Sequence, residues 1–341
     1  MDLDLIAVGP GVGITLRSFS TSHRLTVSGD INLGARNLTL EGEGDYILSG
    51  RISGSGGIRK LNTEELTLSG VVGNTYSGST VVSSGLLRLS KALLLGFPDP
   101  IISSRIAIPG RLIIGSGSTG PLTDFVVHTY GNQIADSSEV EILGSGQLDL
   151  DGNSDQIGSL SMRGGKVLTH QGRDLGQLIL GGNVEVALAS TPSVIDGQLS
   201  LGPSGQRLFD IAQGATLRVD ARIVGHADVS LVKSNRGNLF LTESNLFSGD
   251  VELLVGDDRI GSLTSNGGAV DTMNNTLILG GDILVNATNE VSRLSGHLSL
   301  GGVTRTIYTL GAANTPDLLI TAEILDGGAP AGLNKVGEGS T

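Results

Sequence analysis

Gly197-Gln198-Leu199-Ser200-Leu201-Gly202 returns 99 positions later as Gly296-His297-Leu298-Ser299-Leu300-Gly301. Leu178-Ile179-Leu180-Gly181-Gly182 returns at the same distance as Leu277-Ile278-Leu279-Gly280-Gly281. Ile157-Gly158-Ser159-Leu160 returns after 103 positions as Ile260-Gly261-Ser262-Leu263, so the spacing absorbs small insertions. Repetition of whole phrases in one order marks a stacked array, in which each unit buries its apolar face against its neighbours.

The chain between these phrases reads as short strands. Leu38-Thr39-Leu40, Leu66-Thr67-Leu68, Leu87-Arg88-Leu89, Leu148-Asp149-Leu150 and Leu239-Phe240-Leu241 each put two aliphatic residues on one face of a strand. Between them lie glycine-rich corners such as Ser53-Gly54-Ser55-Gly56-Gly57 and Gly144-Ser145-Gly146. Strands of a few residues separated by corners describe a coil that turns back over itself, with roughly 20–25 residues per coil.

The composition suits such a coil better than an ordinary globule. Of 341 residues 53 are glycine, aromatics make up 3%, and tryptophan is absent. The apolar residues are therefore almost all aliphatic, the kind that fill a narrow interior in ladders. A net charge of −12 with few, scattered basic residues argues against nucleic acid or an anionic membrane as partner. No cysteine is present, which excludes disulfides and thiolate metal sites and suits a chain exported unfolded. Met1-Asp2-Leu3-Asp4-Leu5 has neither a basic region nor an apolar core, so an export signal is not expected on this chain. No apolar stretch has the length of a membrane helix.

A longer alignment joins three copies of one unit. The first runs Gly50-Arg51-Ile52-Ser53-Gly54, Lys60, Leu66 and Leu68, then Asn74-Thr75-Tyr76-Ser77-Gly78. The second runs Ala221-Arg222-Ile223-Val224-Gly225, Lys233, Leu239 and Leu241, then Asn245-Leu246-Phe247-Ser248-Gly249. A third begins at Ala322-Glu323-Ile324, passes Lys335 and stops in mid-repeat at Thr341. We expect one elongated β-helix over 1–341. Its subdivisions are a first block at 1–90, a poorly matching segment with four of the nine prolines at 91–130, a second block at 131–256 and a third at 257–341.

Gly57-Ile58-Arg59-Lys60, Leu66-Thr67-Leu68-Ser69-Gly70 and Asn74 through Val82, followed by Ser84-Gly85-Leu86-Leu87, resemble the autotransporter-associated β-strand repeat, or passenger-associated transport repeat. Gly131 through Asp136, leading to Leu148-Asp149-Leu150-Asp151-Gly152-Asn153, is similar to the spacer between such repeats, as are the LSLG phrases followed by Arg207 or Arg305. The resemblance implies an all-β, right-handed parallel β-helix outside the cell, in a surface or secreted protein of a Gram-negative-type bacterium.

Several residues are candidates for chemistry, each with a plainer alternative. Asp149, Asp151, Asn153 and Asp155 supply oxygen ligands around a glycine turn and could hold calcium, or could simply form a polar corner. β-Helices also include polysaccharide-degrading enzymes, which gather carboxylates on one face. Here Glu252, Asp257, Asp258 and Arg259, and the pair Glu64–Glu65, are the densest charge clusters, yet adjacent strand residues face opposite ways. His23, His128, His170, His226 and His297 never share a metal-ligand spacing, although His170 and His226 could meet across coils. Tyr46, Tyr76, Phe247 and Tyr308 are the most position-specific aromatics, and Tyr76 and Phe247 occupy equivalent sites. Lys60, Lys233 and Lys335 also recur, which suggests either a ladder bonded to corner carbonyls or an outward ligand contact.

These residues together lead us to expect no catalytic, cofactor-binding or metal residues, and no cofactor. The function expected is structural: an extracellular stalk, fibre or adhesin segment. Its partners would be further copies or flanking repeats joined through terminal coils, with a glycan or surface ligand as alternative, and neither nucleic acid nor membrane insertion. A polysaccharide- or host-binding module is the second reading, and a polysaccharide-degrading β-helix the third.

Overall fold

The computed structural model describes residues 5–6, 13–19, 24–92, 105–117, 121–171, 174–225, 229–241, 245–247, 251–253, 258–260, 263–265, 269–286, 291–311 and 316–341. Among these residues every regular element is a strand, and nearly all pair in parallel as the stacked rungs of a β-solenoid. The chain divides into two compact units, Met1–Gly181 and Gly182–Thr341.

In the first unit one ladder runs Ile14–Ser18, Leu38–Gly42, Ile58–Lys60, Thr80–Val82, Leu112–Ile114, Val140–Asp149 and Leu160–Leu168. A second ladder runs Arg24–Val27, Asp45–Leu48, Glu65–Gly70, Gly85–Lys91 and Asp124–His128, then joins the end of Val140–Asp149. A third, shorter face holds Ile31–Asn32 and Ile52–Ser53. Strand alternation decides what goes inside. Leu38 and Leu40 are wholly buried while Thr39 between them is not, and the same holds for Leu66 and Leu68 around Thr67.

Identical positions stack, so the interior is built from columns. Val27, Leu48, Leu68 and Leu89 form one, and Tyr46, Leu66, Leu87, Val126 and Leu148 form another. Each fully buried Leu contributes roughly 1.5–3 kcal/mol of transfer free energy. The corners allow the rungs to come close: a Cβ on Gly56 would lie 1.7 Å from the Arg36 carbonyl oxygen, so only glycine fits there.

Coil length varies more than the repeat phrases suggest. Leu38 to Ile58 is a step of 20 residues and Ile58 to Thr80 one of 22, but Thr80 to Leu112 takes 32 and Leu112 to Val140 takes 28. The longer coils coincide with the segment 91–130. Its strands Leu112–Ile114 and Asp124–His128 still keep both ladders in register, because pairing needs only extended backbone and inward aliphatic residues.

The second unit repeats the scheme. Val184–Val186 pairs with the end of Gly205–Ile211, which pairs with Val229–Ser234 and through it Val251–Leu253. Ser193–Ser200 pairs along its whole length with Thr216–Val224. Further on, Ala269–Leu279, Ser292–Ser299 and the strands Leu318–Ile320 and Glu323–Leu325 stack in turn, as do Ile283–Val285, Arg305–Thr309 and Leu333–Val336.

The LSLG phrases run from a strand into a corner. In Leu199-Ser200-Leu201-Gly202 the Ser200 hydroxyl accepts the Gly202 N–H at 3.1 Å, and in its copy Ser299 accepts the Gly301 N–H at 3.2 Å. Gly202 and Gly301 both have positive φ, and Leu201 and Leu300 each donate to a carbonyl of the following rung. One phrase thus writes one turn, twice.

Candidate functional site

The recurrent lysines occupy inward positions of the solenoid. Lys60 stacks between Leu40 and Val82, Lys233 between Phe209 and Leu253, and Lys335 on Ile307. Each extends its stem along the column and donates its ammonium to the backbone carbonyl two residues on. Lys60 Nζ reaches Asn62 O at 2.6 Å, Lys233 Nζ reaches Asn235 O at 2.8 Å, and Lys335 Nζ reaches Gly337 O at 2.9 Å. Lys60 also bonds Ser84 O of the next coil at 2.7 Å. Burial pushes Lys60 down to about 8, with Asp124 the strongest of the carboxylates pulling it back up. Of the two readings of these lysines, the geometry shows the corner-carbonyl ladder.

Arginine does the same at the LSLG corners. Arg305 donates to Leu300 O at 2.9 Å, Gly280 O at 2.9 Å and Leu279 O at 2.7 Å, fastening two successive coils. Arg207, at the matching place after the first copy, is equally buried. An arginine can serve three carbonyls because its guanidinium presents several donors in one plane.

The aromatic residues divide. Tyr46 is buried; its hydroxyl accepts the Ser18 N–H at 2.6 Å and faces the Leu16 and Glu41 carbonyls, pinning one corner. Tyr76 is buried against Thr80 and Ala107. Tyr308 faces out, 46% exposed. Phe247 lies on a strand, its side chain outside the described residues.

The calcium candidates do not converge. Asp149 ends its strand half-buried and accepts the Asp151 N–H at 2.8 Å, while the Asn153 amide donates to Leu150 O at 3.0 Å. Asp151 and Gly152, both at positive φ, form the turn. Asp155 lies past that turn and points into the interior, where Oδ2 accepts Gln133 N–H at 2.7 Å and Ile134 N–H at 3.1 Å. Among the described residues no group of three carboxylates and histidines is placed to share a metal ion.

The acidic pairs are separated as well. Glu65 receives Arg88 Nε from the next coil at 2.8 Å and Thr67 Oγ1 at 2.9 Å. Burial raises Glu65, but these bonds outweigh it and hold its carboxyl below the usual range, the opposite of what a general acid needs. Glu64 takes a hydroxyl contact from Thr63 and acts on the Lys60 ammonium. Asp257 lies outside the described residues. Glu252 pairs with Val232 and Asp271, whereas Asp258 and Arg259 stand on a different ladder opposite Leu277 and Ile278. His23 and His226 also lie outside the described residues, which leaves His170 without that comparison. His297 Nε2 meets Glu323 Oε2 at 3.3 Å on the surface.

One constellation escaped the reading of the sequence. His128 takes the inward place above Leu89 in an aliphatic column, and its Nδ1 lies 3.4 Å from Asp155 Oδ2; both side chains are wholly buried. Gln133 stands beside them, its amide oxygen accepting the Lys91 N–H at 2.8 Å and its amide nitrogen donating to Lys91 O at 2.9 Å. The signal was present in the alternation of Asp124-Phe125-Val126-Val127-His128, which turns both Asp124 and His128 inward.

Among the described residues, Glu323–Leu325 and Leu333–Val336 pair on one side only, while at Leu318–Ile320 the Asp317 and Leu318 N–H groups reach Ser340 O. They leave Ile324 and Lys335 exposed over the buried Leu298 and Ile307, whereas Leu319 and Val336 face outward like Arg293 and Tyr308 below them.

No family model matches the chain, and no solved structure does. A curated relative is the "Adhesin BmaC autotransporter" of Brucella suis biovar 1 (strain 1330), 26% identical over 288 residues. The similarity covers 72% of this chain and 8% of that protein, so the chain spans a small part of the relative's length. A stacked β-solenoid with this similarity fits a broad autotransporter-type β-helix family.

Proposed function

We propose that this chain is a structural, non-enzymatic segment of a bacterial surface or secreted adhesin, a length of solenoid that holds or forms a surface. The observation that carries the reading is the use made of the recurrent polar side chains. Lys60, Lys233, Lys335 and Arg305 all spend their donors on backbone carbonyls of the coil. Side chains kept for a ligand or a substrate would instead recur on an outward face. The similarity to an adhesin autotransporter supports the same conclusion.

The open strand edge gives the proposal a partner. Glu323–Leu325 and Leu333–Val336, which pair on one side among the described residues, offer backbone groups beside exposed Ile324 and Lys335 that further coils, or another copy, would cover. Electron microscopy of the purified chain over a range of concentrations tests this, together with binding to a glycan array. Particles of uniform width that lengthen with concentration, and no saturable glycan binding, are expected. Particles of constant length that bind one glycan saturably would replace the proposal with a binding module. Turnover of a polysaccharide would replace it with an enzyme.

A further inference from the structure

His128 and Asp155 form a buried acid–base pair inside a column built for aliphatic side chains. Asp155 Oδ2 holds the corner through the Gln133 and Ile134 N–H groups, and Gln133 in turn clasps the Lys91 backbone. Neither ring nitrogen of His128 completes a well-formed hydrogen bond, and Asp155 Oδ1 accepts none. An isolated charge on either residue would be costly at such a place. The Nδ1–Oδ2 distance of 3.4 Å puts the two groups within roughly 0.5 Å of a direct hydrogen bond.

Few other charges reach the pair. Asp124 is on the same strand as His128, two inward positions away, and its carboxylate accepts the Ser145 hydroxyl. Asp136, from the turn after Ile134, acts weakly on Asp155. Lys91, from the strand below, turns its ammonium away to Gly50 O. Asp149 is occupied by the Asp151 N–H. Over Asp155 the next rung places Leu178.

We propose that folding moves one proton from His128 to Asp155, so that this buried corner is neutral in mildly acid solution and the solenoid's stability is insensitive to pH there. The exchange is balanced: the imidazolium of the unfolded chain gives up its ring proton and the carboxylate of Asp155 gains one. The two halves act in opposite directions. Burial raises Asp155 to about 7, so its contribution is present below the ordinary 3.8 and lost as pH rises toward 7. Burial lowers His128 to about 3, against a weaker opposing pull from the Tyr130 backbone. Its contribution is therefore present above the ordinary 6.5 and lost as pH falls toward 3. Between about pH 4 and 6.5 the slopes cancel.

Urea unfolding of the intact chain at several pH values, with Asp155→Asn and His128→Leu, tests the proposal. Asparagine keeps an acceptor for the two N–H groups, and leucine fits the column above Leu89. Relative to wild type, the unfolding constant of Asp155→Asn should fall about tenfold per pH unit as pH rises from 4 to 6.5. That of His128→Leu should rise about tenfold per unit over the same range. Two variants that run parallel to wild type would overturn the proposal. If either fails to fold, the ring-nitrogen and carboxyl shifts of the wild-type chain decide. A neutral His128 ring at pH 5.5 with an Asp155 carboxyl titrating near 7 supports it. An imidazolium beside an ionised Asp155 overturns it.

Discussion

Lys60 and Lys335 stand at the same place in two copies of one repeat, and each bonds the carbonyl two residues ahead. One is wholly buried beneath Val82 and also bonded to Ser84 O of the next coil; the other is exposed, with no covering strand among the described residues. The corner is therefore written locally, in the few residues that make it. Its burial, and the cost of losing it, come from the coil above. Equivalent positions in the copies should then differ in consequence according to what lies over them.

Glycine gives the largest contrast. Gly54 and Gly225 are equivalent in the alignment, but Gly54 has φ of +107° and a Cβ there would lie 2.7 Å from the Gly34 backbone. At Gly225 the nearest atom to such a Cβ is a Leu201 side-chain carbon at 3.7 Å, an ordinary contact. Gly54→Ala should cost about 3 kcal/mol or more in urea unfolding, since strain and a backbone clash act together. Gly225→Ala should stay within about 0.5 kcal/mol of wild type. Equal costs at both positions would show that the repeat, and not the local stacking, sets the constraint.

The lysines follow. Lys60→Met strands the Asn62 and Ser84 carbonyls in the interior while removing a buried ammonium, and should cost about 1–3 kcal/mol. Lys335→Met should cost less than about 0.5 kcal/mol, because water replaces the lost donor. Lys60 also carries a pH signature. Its ammonium is held down to about 8, below the ordinary 10.5, so its contribution is full above 10.5 and lost as pH falls through 8. The deficit of Lys60→Met relative to wild type should therefore grow between pH 8 and 10, and a constant deficit would argue that the ammonium is not desolvated.

The strands and corners were legible because both are local. Leu38-Thr39-Leu40 and Leu66-Thr67-Leu68 declare their inward faces by alternation alone, and the structure buries those four leucines completely. The LSLG phrase could be read as a repeated unit, and its hydroxyl-to-amide bond is the same in both copies. The inward lysines were legible as a recurrent set, though not their direction. What the sequence hid was anything that depends on crossing a corner. Asp149 and Asp155 are six residues apart and looked like neighbours around one ion, but the Asp151–Gly152 turn sends one out and the other in. His128 and Asp155 belong to different coils, and no spacing rule links them. The long coils from Thr80 to Val140 showed in the sequence only as the poorly matching segment 91–130, since connection length leaves no mark on strand register.

Tyr76 shows the same dependence on covering residues at its smallest scale. The second copy has Phe247 at this place, so the repeat itself accepts a ring without a hydroxyl. In the first copy the Tyr76 hydroxyl is fully buried, bonded to Thr80 Oγ1 and facing the Ala107 carbonyl at 3.4 Å. Burial raises its pKa well above the ordinary phenol, against the bond to Thr80 that lowers it, so it remains a neutral donor at any working pH. Tyr76→Phe removes one bond from a neutral pair without changing the ring that fills the core. Thr80 stays inward, between Ile58 and Leu112 in its column, and its hydroxyl loses that partner. The expected cost is about 1 kcal/mol, smaller than at Lys60 because both partners are neutral and the Ala107 carbonyl keeps the Asn74 amide as a donor. Tyr76→Phe with Thr80→Val should recover part of it, since the stranded hydroxyl is then gone as well. A double variant worse than the sum of the two would place the cost in packing rather than in the hydrogen bond.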